Sequence, residues 1–327
     1  MSCLSTILLR CQHSEGSFKG LPSHGLMSRV LRVIIMDLLV ERSEFGHGGN
    51  QEVIAPMAES GEVEVLLVTP QMQSEGVGDK SQKYGLVSLT QDDVPHWDYE
   101  FPFWEECDME ISGNRVTFRR VAMPAKGNDE QMEAWLEEIS PDAVICSGSK
   151  RNVSIWENWM ESGSSMLRCS TKLGIPTLGI CFGHQLLCHS LGSKVERADT
   201  FSSGVWDLDL TENGIDDILF SSRMSGKDGA PVVLYSHQDH VTSVPDSCIL
   251  LASADHNRVT AIRAIAEDGG ELLTWGVQFH PEAAKARVER AFEWGHISKE
   301  EMESFQREHD GAGILSSFAS VVTNNAL

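Results

Sequence analysis

The architecture of this 327-residue chain can be read outward from Gly174-Ile-Pro-Thr-Leu-Gly-Ile-Cys-Phe-Gly-His-Gln-Leu-Leu-Cys-His-Ser-Leu-Gly192. Its apolar start, residues 175–180, predicts a buried parallel strand, and the residues from His184 onward predict a helix with an apolar face. Between them, Gly179-Ile-Cys-Phe-Gly183 predicts a turn so tight that neighbouring backbones touch, which a side chain at either glycine would prevent. Cys181 is therefore expected at the carboxyl end of a strand.

The position of Cys181 at the start of a helix favours nucleophilic chemistry. The free N–H groups and the positive end of the helix favour a thiolate. The N–H of Phe182 is expected to point to where an oxyanion would form during attack on a carbonyl. A cysteine in this setting needs a base nearby.

A base is offered downstream in Leu273-Thr-Trp-Gly-Val-Gln-Phe-His-Pro-Glu282, where alternating apolar residues predict a strand that ends at a histidine. His280 can take the thiol proton, and Glu282 can hold the other ring nitrogen and fix the tautomer. Either motif alone is a weak indication of catalysis. Together, in this order and each at a strand end, they predict a triad of Cys181, His280 and Glu282.

Three segments resemble the signature segments of class I glutamine amidotransferase domains: Gly179-Ile-Cys-Phe-Gly-His-Gln185, Ser236-His-Gln-Asp-His-Val241 and Gly276-Val-Gln-Phe-His-Pro-Glu282. Within that family, the chain resembles a stand-alone branch that includes γ-glutamyl peptidases and proteins similar to the glutaminase part of GMP synthetase. The resemblance extends over roughly Val30 to Phe292. It implies a flavodoxin-like three-layer α/β/α fold with a mixed, mostly parallel central sheet.

The resemblance also implies roles for individual residues. The loop after a predicted strand at Pro141–Ser149 supplies a second oxyanion N–H in the family, which gives that role to Gly148 and Ser149. The family often has Gly-Gly here, but a serine still has its N–H. Gln185 is implied to bind the γ-glutamyl substrate. The implied ligands of its α-amino and α-carboxylate groups are Ser236, His237, Gln238 and Asp239, with Asp239 meeting the ammonium.

The expected reaction is hydrolysis of the γ-glutamyl amide bond of glutamine or a γ-glutamyl peptide through a thioester on Cys181. Two alternatives stay open. The chain could be a glutaminase subunit that delivers ammonia to a separate synthetase chain, since no Ser-Gly-Gly-x-Asp-Ser or Walker-type loop occurs in the sequence. It could also be a catalytically silent binding paralogue, against which the intact triad argues. His237 or His240 is an alternative base, although neither precedes an orienting acid of the His-Pro-Glu type.

Composition limits the partners of the chain. A net charge of −22 argues against nucleic acid and anionic membranes, because both would be repelled. No apolar run approaches the roughly 20 residues of a membrane span. The eight cysteines are scattered without a Cys-x-x-Cys pair, which favours reduced thiols and a cytoplasmic protein.

The sequence predicts neither a cofactor nor a metal. The glycine-rich patch at 45–49 lacks the spacing of a dinucleotide fingerprint and the lysine of a P-loop. The candidate metal ligands of the helix after the turn spread over two helical turns and cannot all reach one ion: Cys181, His184, Cys188 and His189.

The expected organisation is a leader at 1–29 followed by one amidotransferase-like domain at 30–322. The leader is rich in serine and basic for so acidic a chain, which is typical of a plastid or mitochondrial transit segment, but also of a disordered leader or a mispredicted start. A probable insertion covers residues 71–110. Within it, the acidic aromatic segment at 92–106 is interpreted as a loop anchored by its own aromatics, with a lid or a docking surface as the alternatives.

Overall fold

The structure is a computed structural model that describes residues 29–39, 44–72, 107–124, 127–222, 224–293, 295, 297–305 and 307–326. The predicted leader lies outside the described residues apart from Arg29. Residues 73–106 of the predicted insertion, which include the acidic aromatic segment, also lie outside them. In the part of the chain that the structure describes, no helix is both long enough and apolar enough to cross a membrane.

Strands and helices alternate through the first half of the chain, and strands dominate from residue 195 to residue 277. In chain order the strands are β1 (Leu31–Met36), β2 (Val63–Val68), β3 (Cys107–Ile111), β4 (Asn114–Arg120), β5 (Ala143–Cys146), β6 (Thr177–Ile180), β7 (Val195–Asp207), β8 (Asp209–Leu210), β9 (Val232–Val241), β10 (Cys248–Ala254), β11 (Asn257–Ile265) and β12 (Glu271–Val277). The α-helices are α1 (Gly49–Ala58), α2 (Asp129–Ile139), α3 (Met160–Lys172), α4 (Phe182–Ser190), α5 (Glu212–Asp216), α6 (Lys285–Glu293), α7 (Lys299–Ser304) and α8 (Gly311–Ala326). A π-helical turn covers Glu44–Gly48, and short 3₁₀ segments cover Pro70–Met72, Ile218–Phe220 and Lys227–Gly229.

The main sheet has the strand order β3-β4-β2-β1-β5-β6-β12-β11-β10-β8. The six strands from β4 to β12 in this order pair in parallel, and the pairs at both ends of the sheet are antiparallel. The predicted mixed, mostly parallel sheet is therefore confirmed. Strands β7 and β9 form a separate antiparallel ribbon.

Apolar side chains cover both faces of the main sheet, as expected for parallel strands that are buried on two sides. Helices α1 and α8 belong to the core on one face, and helices α2, α3 and α4 belong to the core on the other. This arrangement confirms the predicted three-layer α/β/α fold.

A third, smaller core lies between the β7–β9 ribbon and the segment that follows β12. We call it the C-terminal core; its buried members are Val205, Val232, Leu234, Ala283, Val288, Ala291, Ile297 and Phe305. Because α6 and α7 pack on the ribbon through these residues, they lie beside the end of β12, where His280 is found.

The sequence predicts the bounds of some helices and strands correctly and those of others incorrectly. The sequence predicts a helix at 129–139, and α2 spans these residues, since Asn128 caps it by accepting a hydrogen bond from the N–H of Gln131. The sequence also predicts a helix at 153–172, but α3 begins at Met160, because residues before it form a loop in which the N–H of Ser154 donates to Asp239. The segment at 236–241 is predicted to lie between strands, but it is the second half of β9.

Candidate active site

The turn between β6 and α4 is as tight as the sequence predicts. A Cβ atom on Gly179 would lie 2.6 Å from the carbonyl oxygen of Gly183, and one on Gly183 would lie 2.2 Å from that of Cys146. Cys181 itself has a φ of 51°, a left-handed conformation that costs a non-glycine residue about 1–3 kcal/mol. The packing of β5, β6 and α4 therefore holds this one side chain in a strained, fixed position.

The sulfur of Cys181 is nearly buried, with 6% of the residue exposed. The residue immediately precedes α4, and it lines a cavity. The side-chain amide of Gln278 lies 3.6 Å from Sγ, with its N–H as the donor, and the carbonyl oxygen of Ser236 lies 3.9 Å away. Polar groups from β9 and from the segment after β12 thus contact the sulfur.

His280 and Glu282 lie together at the same cavity. Nδ1 of His280 is 2.8 Å from Oε1 of Glu282, and the ring also hydrogen-bonds to Cys181. Burial alone would lower the pKa of His280, but the charges of Cys181 and Glu282 and the hydrogen bonds to both raise it well above its ordinary value. The structure thus brings the three residues of the predicted triad together, with His280 in the middle, and it favours the protonated form of His280.

The predicted oxyanion residues occupy two different positions. Phe182 and Ser149 line the cavity, and in the described chain neither of their N–H groups donates a hydrogen bond. Gly148 instead packs against the histidine, since a Cβ atom there would lie 2.9 Å from Cε1 of His280. In the loop after β5, Ser149 therefore lines the cavity and Gly148 lies against the imidazole ring.

Gln185 ties the polar side of the cavity together. Its Nε2 donates to the carbonyl oxygen of Asp239 at 2.7 Å and to Oε1 of Gln278 at 3.1 Å. Because Gln278 in turn donates to the sulfur of Cys181, one continuous hydrogen-bonded series runs from β9 to the sulfur. Gln185 can offer a ligand only its oxygen without breaking this series.

Asp239 carries a carboxylate oxygen that the described protein leaves unsatisfied. Its Oδ2 accepts the N–H of Ser154 at 2.8 Å, whereas Oδ1 is buried without a hydrogen-bond partner among the described residues. A guanidinium nitrogen of Arg197 lies 4.0 Å from Oδ1, and Arg197 donates to Oε1 of Gln238 at 2.6 Å. A buried anionic oxygen at a cavity is suited to a cationic ligand.

The two histidines of β9 are poor candidates for the base. Burial, as the largest cause, lowers the pKa of His237 to about 3, so its ring is neutral. Its Nδ1 lies 3.0 Å from the carbonyl oxygen of Asp239, which makes Nδ1 the protonated nitrogen. His237 lines the cavity; His240 is not among the lining residues.

The candidate metal ligands on α4 point in different directions. His184 is fully buried, where its Nε2 lies 3.0 Å from the carbonyl oxygen of Val259 and its Nδ1 lies 3.8 Å from the sulfur of Cys188. His189 stacks on Trp156 at the surface. Over the described ranges, no group of three or more His, Cys, Asp or Glu side chains is arranged to hold a metal.

Gln278 and Arg197 are polar residues at the site that the sequence analysis does not predict. Gln278 had a signal, because it precedes His280 by two residues and alternate residues of an extended chain share a face. Arg197 had none that we can identify. It reaches the cavity through the pairing of β7 with β9, which shifts register between Arg197 and Ser202.

The cavity has a volume of ≈ 490 Å³ and two chemically different sides. We call one the polar wall; its residues are Gln185, Arg197, Ser236, His237, Gln238 and Asp239. We call the other the apolar wall; its residues are Leu234, Ala283, Val288, Ile297 and Phe305. Cys181 and His280 line the same cavity as both walls.

Comparison with known proteins agrees with this geometry. The family model for glutamine amidotransferase class-I matches residues 112–292. A GMP synthase [glutamine-hydrolyzing] of Thermus thermophilus is 37% identical over 155 residues, which are 46% of this chain and 27% of that protein. The corresponding protein of Brachyspira hyodysenteriae is 30% identical over 148 residues, 45% of this chain and 26% of that protein. The match therefore spans about a quarter of these relatives' length.

Solved structures share the fold at low sequence identity. The glutaminase domain of Trypanosoma brucei CTPS with bound acivicin has a TM-score of 0.51 and 11% identity, covering 90% of this chain and 94% of that one. A glutamine amido transferase from Methylobacillus flagellatus has a TM-score of 0.50 and 15% identity, covering 90% and 93%.

Proposed function

The chain belongs to the class I glutamine amidotransferase family, and on that basis we propose that it hydrolyses the γ-glutamyl amide bond of glutamine or γ-glutamyl peptides through a thioester on Cys181. The observation that carries the proposal is the hydrogen-bonded series from Cys181 through His280 to Glu282 at the cavity. A nucleophile, a base and a group that orients the base are the parts that covalent acyl transfer needs.

Acylation begins with attack of the Cys181 thiolate on the γ-carbonyl carbon of the substrate. The N–H groups of Phe182 and Ser149 stabilise the oxyanion, each by about 3 kcal/mol. The imidazolium of His280 donates its proton to the leaving nitrogen, the C–N bond breaks, and the amine departs from a thioester.

Deacylation reverses the role of His280. The neutral ring takes a proton from water as the water oxygen attacks the thioester carbon. The C–S bond then breaks, which releases glutamate and restores both the thiolate and the imidazolium. Glu282 keeps the ring oriented through both half-reactions and stabilises its positive charge.

The polar wall is suited to the amino-acid end of the substrate. Oδ1 of Asp239, buried and without a hydrogen-bond partner in the described protein, accepts a hydrogen bond from the α-ammonium, which relieves the cost of a buried acceptor without a hydrogen bond. Arg197 attracts the α-carboxylate, and the oxygen of Gln185 remains available to a substrate N–H. Gln278 acts on the sulfur by donating a hydrogen bond that favours its anionic form.

Ammonia delivery is the second candidate function. It is favoured by the GMP synthases among the relatives, because this chain spans only about a quarter of their length. The released ammonia would then pass to a separate synthetase chain. The two functions differ in whether the isolated protein turns over and in which amine leaves.

The test is to offer the purified protein L-glutamine and a panel of γ-glutamyl dipeptides and to measure glutamate release, with Cys181→Ala alongside. Turnover of dipeptides by the isolated protein, abolished in the variant, supports hydrolysis. Turnover of glutamine only, and only with an added synthetase, supports ammonia delivery. Undiminished turnover in Cys181→Ala would refute both.

A further inference from the structure

We propose that the apolar wall is a subsite for the leaving amine, and that the preferred substrates are γ-glutamyl amides whose nitrogen carries a bulky apolar or aromatic group. The inference rests on the proposed function, since it names the substrate class of the same site. It concerns the half of the cavity that the γ-glutamyl group does not need.

The first step locates the leaving nitrogen. A general acid must lie within hydrogen-bonding reach of the atom that it protonates, so the amine leaves next to His280. The backbone N–H of His280 donates to the carbonyl oxygen of Leu234 at 2.8 Å, and the N–H of Ala283 donates to the carbonyl oxygen of His280 at 3.3 Å. The backbones of two members of the apolar wall therefore lie beside the backbone of His280, and all three residues line the same cavity.

The second step concerns what continues the wall. Val288 of α6, Ile297 before α7 and Phe305 after α7 are exposed by only 1%, 7% and 5%. They line the cavity and also belong to the C-terminal core. The subsite is therefore a face of a packed core rather than a set of mobile surface side chains, and it offers a preformed apolar surface.

The third step is size. Cavities of about 300–1,000 Å³ hold drug-sized ligands, whereas glutamine has only about ten non-hydrogen atoms. The cavity of ≈ 490 Å³ thus has room for more than glutamine and a departing ammonia. Apolar side chains line part of this cavity, and they favour an apolar substituent by removing its surface from water.

Part of the apolar wall lies outside the family match, whereas the catalytic residues lie inside it. The family match ends at residue 292, so Ile297 and Phe305 come from sequence beyond it. The C-terminal segment therefore adds its own contribution to a site whose reactive groups lie within the match. A preference set by this segment rests partly on residues outside the family match.

Charged side chains of both signs line the cavity. Glu282 and Glu301 do so, and so do Lys150 and Arg151. Oε2 of Glu301 accepts the N–H of Ser298 in a capping box at the start of α7, so this carboxylate is held in place. The lining therefore does not exclude an acidic amine by charge alone, and γ-glutamyl-glutamate serves as the charged comparison peptide.

The experiment compares kcat/KM of the full-length protein for γ-glutamyl-phenylalanine, γ-glutamyl-glycine, γ-glutamyl-glutamate and L-glutamine. We expect γ-glutamyl-phenylalanine to exceed γ-glutamyl-glycine by about 10- to 100-fold, as is typical for filling an apolar pocket. Equal values, or a preference for glycine or glutamate, would overturn the inference.

Binding separates this inference from the proposed function. Calorimetry on Cys181→Ala measures affinity without turnover, and it should show the same order of peptides. If the wild-type protein cleaves none of them while the variant still binds the phenylalanine peptide most tightly, the subsite stands and the hydrolase proposal fails. If cleavage occurs without preference in either assay, the subsite fails and the hydrolase proposal stands.

A matched pair of variants ties the preference to the wall. Phe305→Ala should reduce the phenylalanine-to-glycine ratio at least about fivefold, whereas Phe220→Ala should leave it unchanged. Both phenylalanines are 5% exposed, but Phe220 belongs to the core on one face of the main sheet. The phenylalanine-to-glycine ratio of kcat/KM does not depend on the folded fraction of a variant, because both values are measured on the same sample. Ile297→Ala is the second variant if Phe305→Ala does not fold; an unchanged ratio in it would contradict the inference.

Discussion

The polar wall and the apolar wall of the cavity are built in different ways. The polar wall comes from α4 and the β7–β9 ribbon, and hydrogen bonds from Gln185 tie it to the sulfur through Gln278. The apolar wall comes largely from the C-terminal core, and packing alone holds its side chains. Under the proposed function, directional bonds position the glutamyl group common to all substrates, whereas a packed surface selects the amine that varies.

The largest effect is expected from loss of the nucleophile. All substrates react at Cys181, so its replacement should abolish the turnover of each of them. Replacing Cys181 with Ala should lower kcat by at least about 10⁴-fold, as loss of a nucleophile does in comparable triads. Cys107→Ala is the control, because Cys107 is only partly buried on an edge strand and does not line the cavity. Glutamate release by the two variants is compared; similar rates would contradict the assignment.

The second effect concerns His280, the proposed base, which lines the same cavity as both walls. Glu282→Gln should lower kcat by about 10³–10⁴-fold, because the ring loses its orienting carboxylate. Glu282 also helps to raise the pKa of His280, so the basic limb of the pH–rate profile should move to lower pH.

The control for this variant is Glu301→Gln, which changes another carboxylate at the cavity that is engaged in helix capping. It should leave the basic limb in place. Identical pH profiles for wild type and Glu282→Gln would show that Glu282 does not act on the histidine.

A third variant tests whether the polar wall contacts the glutamyl group alone. Asp239→Asn removes the charge that faces the α-ammonium and should raise KM by about 10- to 100-fold with little change in kcat. The increase should be equal for glutamine and for γ-glutamyl-phenylalanine, because they share the glutamyl group. Steady-state kinetics with both substrates tests this; a rise confined to one of them would mean that the polar wall also contacts the amine.

The smallest effect concerns stability and pH. His237 has a pKa lowered to about 3 in the folded protein, chiefly by burial, and an ordinary value of about 6.5 when unfolded. The unfolded state therefore binds more protons below pH 6.5, so stability is lost as pH falls. This residue alone should cost about 2 kcal/mol between pH 7 and pH 5.

Urea unfolding of wild type and His237→Gln at both pH values measures this difference. The variant should lose less stability on acidification, whereas Phe305→Leu in the apolar wall should behave as wild type does. An unchanged pH dependence in His237→Gln would show that this ring is not buried in its neutral form.

The sequence was most informative where one backbone constraint dominated. Gly179 and Gly183 allow the close approach of strands and helix around Cys181, and this is a local requirement that appears as a local pattern. The central sheet could be predicted equally well, because buried parallel strands appear in the sequence as continuous apolar runs.

Features that depend on contacts between residues far apart in the sequence were harder to predict. The register shift in β7 that brings Arg197 to the cavity has no local signature. Helix α3 begins late because the N–H of Ser154 binds Asp239, a residue 85 positions away. The apolar wall escaped notice because Val288, Ile297 and Phe305 resemble ordinary core residues until the ribbon is folded against them.

The most direct test of the account is to treat the protein with a glutamine analogue that carries an electrophilic group at the γ position, and to map the modified residue by peptide mass spectrometry. The account predicts one adduct, on Cys181 among the eight cysteines of the chain, with protection by γ-glutamyl substrates. Modification of another residue, with Cys181 unmodified while activity disappears, would contradict it.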